Sequence, residues 1–274
     1  MSWTAVARKD FQDSIRVKWF WALAALFVVF AGGAAYLFAE VIQTGGEATG
    51  LGFIALLSSA TGLLVPIIGL MLGYKTIAGE RESGSLKLLL SLPHTRAEVV
   101  AGKLVGRSIV ISIAILIGYA VAVAIGLALF AEFVVTDFLI FTGLSILLGF
   151  AWIGISLGLS TATASTSRAA ALAFGFWMVF EFLWGLLVSL LVWASNGFSG
   201  GLFMTSMPDW ALFLNILPPT ASFSNANGVI SEVLGTSGQN APWFTEPWFG
   251  LVVLLAWIVV PVALGFLRFR SSDL

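Results

Sequence analysis

Gly79-Glu80-Arg81-Glu82-Ser83-Gly84-Ser85-Leu86-Lys87-Leu88-Leu89-Leu90-Ser91-Leu92-Pro93-His94-Thr95-Arg96, closed by Gly102-Lys103, is a charged, glycine-punctuated island between two long apolar runs. Six of the thirteen Lys and Arg residues fall between Lys75 and Arg107. Elsewhere charge is scarce. The 274-residue chain is 59% hydrophobic and 10% charged, where a soluble domain carries about 25% charged residues. Its mean hydropathy is +1.02. Such a chain reads as an all-α, polytopic membrane protein, a single transmembrane domain over residues 1–274.

Working outward from the island, six apolar segments each approach the roughly 20 residues that span a bilayer. They lie at about 20–41, 51–74, 108–130, 138–160, 169–194 and 248–267. With both termini in the cytosol, all thirteen Lys and Arg residues fall on the inner side, from Arg8 to Arg270. The outer segments then carry only acids: Glu40, Glu47, Glu132, Asp137, Asp209, Glu232 and Glu246. This is the sorting the positive-inside rule expects, and it predicts cytosolic termini in a plasma-membrane protein.

Two connections are long, the cytosolic loop 75–107 and the outer segment 195–247. The apolar core of the outer segment, Trp210 to Pro219, is too short and interrupted to span. Two readings are open: a re-entrant or interfacial helix, or a plain outer loop with an aromatic belt. Residues 1–18 read as an amphipathic helix. Trp3, Ala7, Phe11, Ile15 and Trp19 recur every four positions, while Arg8, Lys9, Asp13 and Arg16 take other faces. That pattern suits the membrane surface, with a solvated tail as the alternative. No cleavable signal peptide is read, because the first apolar run starts near Trp19 behind a charged segment.

Absent residue types exclude much chemistry. Without Cys there is no disulfide framework, thiolate metal site or thiol nucleophile, and His94 is the sole histidine. Met204-x-x-Met207 lacks a third ligand and is not read as a metal site. An intramembrane hydrolase would need a nucleophile–base pair or metal ligands at span depth, and away from the span ends there is a single acid, Glu181.

Within the island, Glu80-Arg81-Glu82 ends the second span in water and Ser83-Gly84-Ser85 breaks the helix. Leu86 to Leu92 form a short apolar helix that Pro93 stops. Thr95-Arg96-Ala97-Glu98 is a capping box, so the third span begins well before its apolar part. Leucines exposed on the short helix need a partner surface, or rest on lipid. The Gly79 to Ser85 stretch has the glycine spacing of a phosphate-binding loop. It lacks a Lys-Ser/Thr directly after the second glycine, and no strand precedes it.

Glu80-Arg81-Glu82-Ser83-Gly84-Ser85, the Leu88-Leu89-Leu90 run, Pro93, Thr95-Arg96 and Gly102-Lys103 resemble the cytoplasmic-loop signature of ABC-2 type ABC transporter permeases. Six spans, an amphipathic N-terminal helix and a long outer segment before the last span are similar too, and the looser likeness within the family is to NosY-like permeases. The resemblance implies that the loop is a coupling helix seated in a groove of a separate cytosolic ABC ATPase. Glu80, Arg81, Glu82 and Gly84 would hold the loop, and Leu88, Leu89, Leu90 and Pro93 would lie in the docking part. It further implies an exporter without a nucleotide site of its own, ATP and Mg being bound by the partner. The working unit would hold two ATPases and two permeases, as a homodimer or as a pair with a second permease. Membrane lipids are the other expected partner, and nucleic acid is not one. An ATP-independent carrier or a membrane-anchoring scaffold is the alternative reading.

Glu181 stands about 20 Å into span five, near the bilayer centre. It is read as part of a translocation path or subunit interface, or as an acid bonded to a neighbouring span that serves assembly. Gly69-x-x-x-Gly73, Gly102-x-x-x-Gly106 and Gly154-x-x-x-Gly158 are read as close-packing positions.

Overall fold

The computed structural model describes residues 3–16, 18–42, 49–91, 95–199, 207–231 and 242–271. Glu47 and Glu232 lie outside them. Among the described residues the chain forms helices and no β-strand, with one isolated bridge between Thr49 and Glu132. Six helical stretches are long and apolar enough to cross a membrane: Phe20–Val41, Gly50–Glu82, Arg96–Leu129, Val135–Ala162, Thr166–Ser195 and Pro247–Arg270. Five of the expected segments lie within them, and the third, 108–130, runs one residue past the end of its helix at Leu129.

Helix α1 (Trp3–Ile15) precedes the first span, which is built from α2 (Lys18–Phe27), a π-helical turn (Val28–Gly32) and α3 (Gly33–Ile42). The second span is α4 (Gly50–Gly73), followed by the short helices α5 (Ala78–Glu82) and α6 (Ser85–Ser91). Next come α7 (Arg96–Leu129) and α8 (Val135–Ala162). The fifth span is α9 (Thr166–Met178), a π-helical turn (Val179–Leu183) and α10 (Trp184–Ser195). Two short helices, α11 (Asp209–Ile216) and α12 (Pro219–Ala226), lead to the last span, α13 (Pro247–Arg270). The long α7 starts where its capping box predicts: Thr95 Oγ1 accepts from the Glu98 amide at 3.2 Å, and the Glu98 carboxylate accepts from the Thr95 amide at 2.9 Å.

Helix α8 is the most enclosed of the spans, packed against α4, α7 and α13. Small residues set these contacts. A Cβ at Gly69 would lie 2.7 Å from Trp152 Cβ, and one at Gly154 would lie 2.6 Å from the Ile258 carbonyl oxygen. The third glycine pair receives α1, since a Cβ at Gly102 would lie 2.6 Å from Val6 Cβ. All three pairs are therefore spent on packing inside the chain. At the end of the bundle bearing the acids, Phe38, Phe53, Phe130 and Phe138 interlock with ring centroids 5.3 to 6.0 Å apart. Deeper, Tyr119 of α7 is buried, and its hydroxyl bonds Thr61 of α4 at 2.6 Å and donates to Ser145 of α8 at 3.4 Å.

The long segment between the fifth and last spans enters the bundle. Trp184 and Trp257 donate their indole N–H groups to the Leu214 and Leu217 carbonyls, both at 2.8 Å. Helix α12 buries Phe223, Asn225 and Ala226. Thr220 reaches the Gly62 carbonyl at 3.5 Å, about 18 Å along α4 from Gly50 at 1.5 Å per residue. Buried Asn225 donates to the Thr245 carbonyl at 2.6 Å and accepts from the Gly250 amide at 3.0 Å. Helices α11 and α12 thus pack into the bundle through side-chain and carbonyl hydrogen bonds.

Candidate coupling site

The island between spans two and three folds as a braced platform. After α4 the chain turns, and the two amides at the start of α5, those of Ile77 and Ala78, both donate to Ser160 Oγ, at 3.1 and 3.0 Å. A buried serine on α8 thus caps a helix from another part of the chain. Gly84 then takes φ of +75°, the left-handed conformation that glycine adopts without steric cost, and α6 turns back from there.

Each charge of the Glu80-Arg81-Glu82 triplet reaches a different element. Glu80 accepts from Lys103 Nζ of α7 at 2.7 Å. Arg81 donates to the Thr163 carbonyl after α8 at 3.4 Å, and its guanidinium lies 5.8 Å from the Phe269 ring centroid of α13. Glu82 accepts from the Thr166 amide at 2.9 Å and from the Thr166 hydroxyl, at the first residue of α9. Arg96 completes the brace, donating to the Phe269 and Arg270 carbonyls at 2.5 and 3.2 Å at the C-terminal end of α13.

The leucines of α6 divide by face. Leu86 is fully buried with Ile77, Val99, Val100, Leu157 and Phe269, and Leu89 and Leu90 pack partly on the same cluster. Positions 86, 89 and 90 share one helical face. Leu88 points the other way and is 74% exposed. The Leu88-Leu89-Leu90 run is therefore divided between two faces, with Leu88 free of the cluster and Leu89 and Leu90 partly turned into it. Leu86, which the sequence reading left unassigned, is the anchor, and the i, i+3, i+4 spacing was the signal for it. Leu92, Pro93 and His94 lie outside the described residues.

The sequence reading also missed Asp10. It is 8% exposed on α1, where Arg107 Nε lies 3.0 Å from Oδ2 and Lys103 Nζ lies 3.8 Å from Oδ1. Helix α1 buries Val6, Ala7 and Asp10 against α7, while Trp3 stays 45% exposed. The face meeting protein thus lies beside the aromatic face that the four-residue recurrence picks out. Lys103 connects α1 to α5 through its two acids.

Glu82 supplies a direct test of the platform. Its carboxylate satisfies the first amide of α9, whose own N-cap residue, Ser165, makes no side-chain bond. Glu82→Ala is expected to speed hydrogen exchange at residues 166–168 about fivefold, the equivalent of one hydrogen bond of roughly 1 kcal/mol. Unchanged exchange there would show that the contact carries no weight.

Far from this platform, Glu181 lies in the π-helical turn of span five and accepts from the Thr220 hydroxyl of α12. Met207 holds an amide of Asn215, with Nδ2 3.3 Å from the sulfur, and Met204 lies outside the described residues.

Along its length the chain is similar to known proteins of one kind. It is 34% identical over 275 residues to the probable ABC transporter permease protein NosY of Stutzerimonas stutzeri, covering 97% of this chain and 96% of that one. It is 34% identical over 218 residues to the protein of the same name from Pseudomonas aeruginosa, covering 78% and 77%. The family described as ABC-2 family transporter protein matches residues 4–274. With the match running over almost every residue that builds the bundle, the platform and the α11–α12 segment, the chain belongs to the ABC-2 family of transporter proteins.

Proposed function

We propose that this permease subunit is moved by a separate cytosolic ATPase seated on α6, and that it works as an exporter in the plasma membrane. The observation that carries the reading is Leu88: an apolar side chain turned outward on a helix otherwise fixed to its neighbours. The basic end bears α6, and the sorting of Lys and Arg supports placing that end in the cytosol. The chain breaks no bond itself. Gly79 to Ser85 forms a helix and a turn rather than a strand-to-helix phosphate loop, which supports assigning ATP and Mg to the partner. A push on α6 passes through Leu86 to α7 and α13, and through Ser160 and Glu82 to the α8–α9 junction, so that whole spans tilt as rigid bodies. A second permease copy, or a paired permease, would complete the path, with Glu181 facing that path or the subunit interface. Outward transport rests on the family likeness.

The natural chain has no Cys, so Leu88→Cys introduces a single thiol. With a bifunctional reagent and the candidate ATPase, Leu88→Cys is expected to cross-link and Leu127→Cys, at the opposite end of α7, is not. If no ATPase copurifies and neither variant cross-links, the carrier or scaffold reading takes its place.

A further inference from the structure

Beside the coupling platform the basic end holds a cavity of about 1090 Å³ between α1, α2, α4, α5 and α7. Spans one and two meet near the acidic end, where the Phe38 and Phe53 rings lie 5.8 Å apart. At the basic end they flank this cavity. Its wall is apolar, with Leu23 and Leu26 from α2 and Leu64, Ile68 and Met71 from α4. Its rim is charged. Asp10, Glu80, Lys103 and Arg107 neutralise one another there. Of the other charged residues that line it, Glu82 is held by the Thr166 amide and hydroxyl and Asp13 is exposed, while Lys9 and Lys75 are both exposed and neither enters an ion pair among the described residues.

The two parts specify one kind of guest. From Leu64 to its end at Gly73 the α4 wall runs about 14 Å at 1.5 Å per residue, close to the depth of one leaflet of a roughly 30 Å hydrocarbon core. A small polar solute would leave that wall bare. A purely apolar guest would leave the two ammonium groups to water, together with Glu80 Oε2, which is buried without a hydrogen-bond partner among the described residues. The cavity also exceeds the roughly 300–1,000 Å³ of ordinary small-molecule pockets.

We propose that this cleft binds a membrane phospholipid of the leaflet at the basic end, its phosphate between Lys9 and Lys75 and an acyl chain along Leu26, Leu64 and Met71. Glu80 Oε2 would accept from a donor on the headgroup, which favours an ethanolamine-type lipid over a choline-type one. The site needs no ATPase, so it stands or falls separately from the coupling reading.

The test uses the full chain in nanodiscs containing phosphatidylethanolamine with a photoactivatable acyl chain, followed by peptide mapping. Labelling is expected to concentrate on residues 20–26 and 64–75. Leu26→Trp and Met71→Trp, at exposed positions, fill the cleft. The pair Lys9→Glu and Lys75→Glu repels the phosphate and is expected to cut labelling about tenfold or more. Millimolar inorganic phosphate should not compete. Three results would overturn the proposal: labelling spread evenly over α9 and α13 and indifferent to the variants, equal labelling by a diacylglycerol lacking phosphate, or displacement by free phosphate.

Discussion

Leu88→Asp is expected to abolish ATPase binding while leaving the permease folded. Leu88 is 74% exposed and belongs to no core cluster, so the substitution removes nothing that holds the bundle. Burying a leucine in a partner groove contributes about 2 kcal/mol, and desolvating an unpaired carboxylate in its place costs more still. Together these predict binding weaker by a factor of about 100 or more. The measurement is retention of the candidate ATPase by detergent-solubilised permease, beside a thermal unfolding curve of the permease alone. Leu86→Asp is the contrast. Leu86 is fully buried under α7 and α13, so that variant should lower the unfolding midpoint as well as lose the ATPase. If Leu88→Asp retains the ATPase at wild-type strength, the exposed leucine is not the docking point.

The difference between these two leucines marks the boundary of what the sequence makes legible. Span number and the start of α7 follow from local features: apolar run length, and a Thr95–Glu98 box whose two partners lie three residues apart. The coupling loop, too, is set off by its charges and by Gly84. Features that depend on long-range partners are less visible. Helix α12 holds Thr220, Ser222 and Asn225, and Asn227 follows it, a composition that suits a turn as well as a buried segment. Only the structure shows Asn225 bridging Thr245 and Gly250, and Thr220 paired with Glu181. Ser160 reads as one small residue in an apolar helix until the α5 amides are found on its oxygen. The π-helical turns at Val28–Gly32 and Val179–Leu183 leave no comparable mark in the apolar pattern.

Asp10 is the extreme case, because an acid among Arg8, Lys9 and Asp13 looks like part of a solvated face. In the fold it is 8% exposed and holds two cations of α7. Removing one partner of a buried ion pair costs roughly 3–5 kcal/mol, since the remaining charge stays desolvated. Here Lys103 keeps Glu80 at 2.7 Å and Arg107 is about a quarter exposed, so about 2–3 kcal/mol is expected for Asp10→Ala, below the fully buried figure. Gly102 and Gly106 leave α7 bare beneath α1, so loss of the pair also frees α1 to lift away. The fluorescence of the chain's eleven Trp residues reports unfolding directly. The midpoint for Asp10→Ala should fall by roughly 5–10 °C. Asp10→Ala combined with Arg107→Met should recover part of that loss, because the stranded guanidinium is gone while Lys103 keeps Glu80. Without such recovery, the stability would reside in the Val6 and Ala7 packing rather than in the charges. A midpoint unchanged by Asp10→Ala would mean that α1 is held by its apolar residues alone, and that Lys103 serves only Glu80.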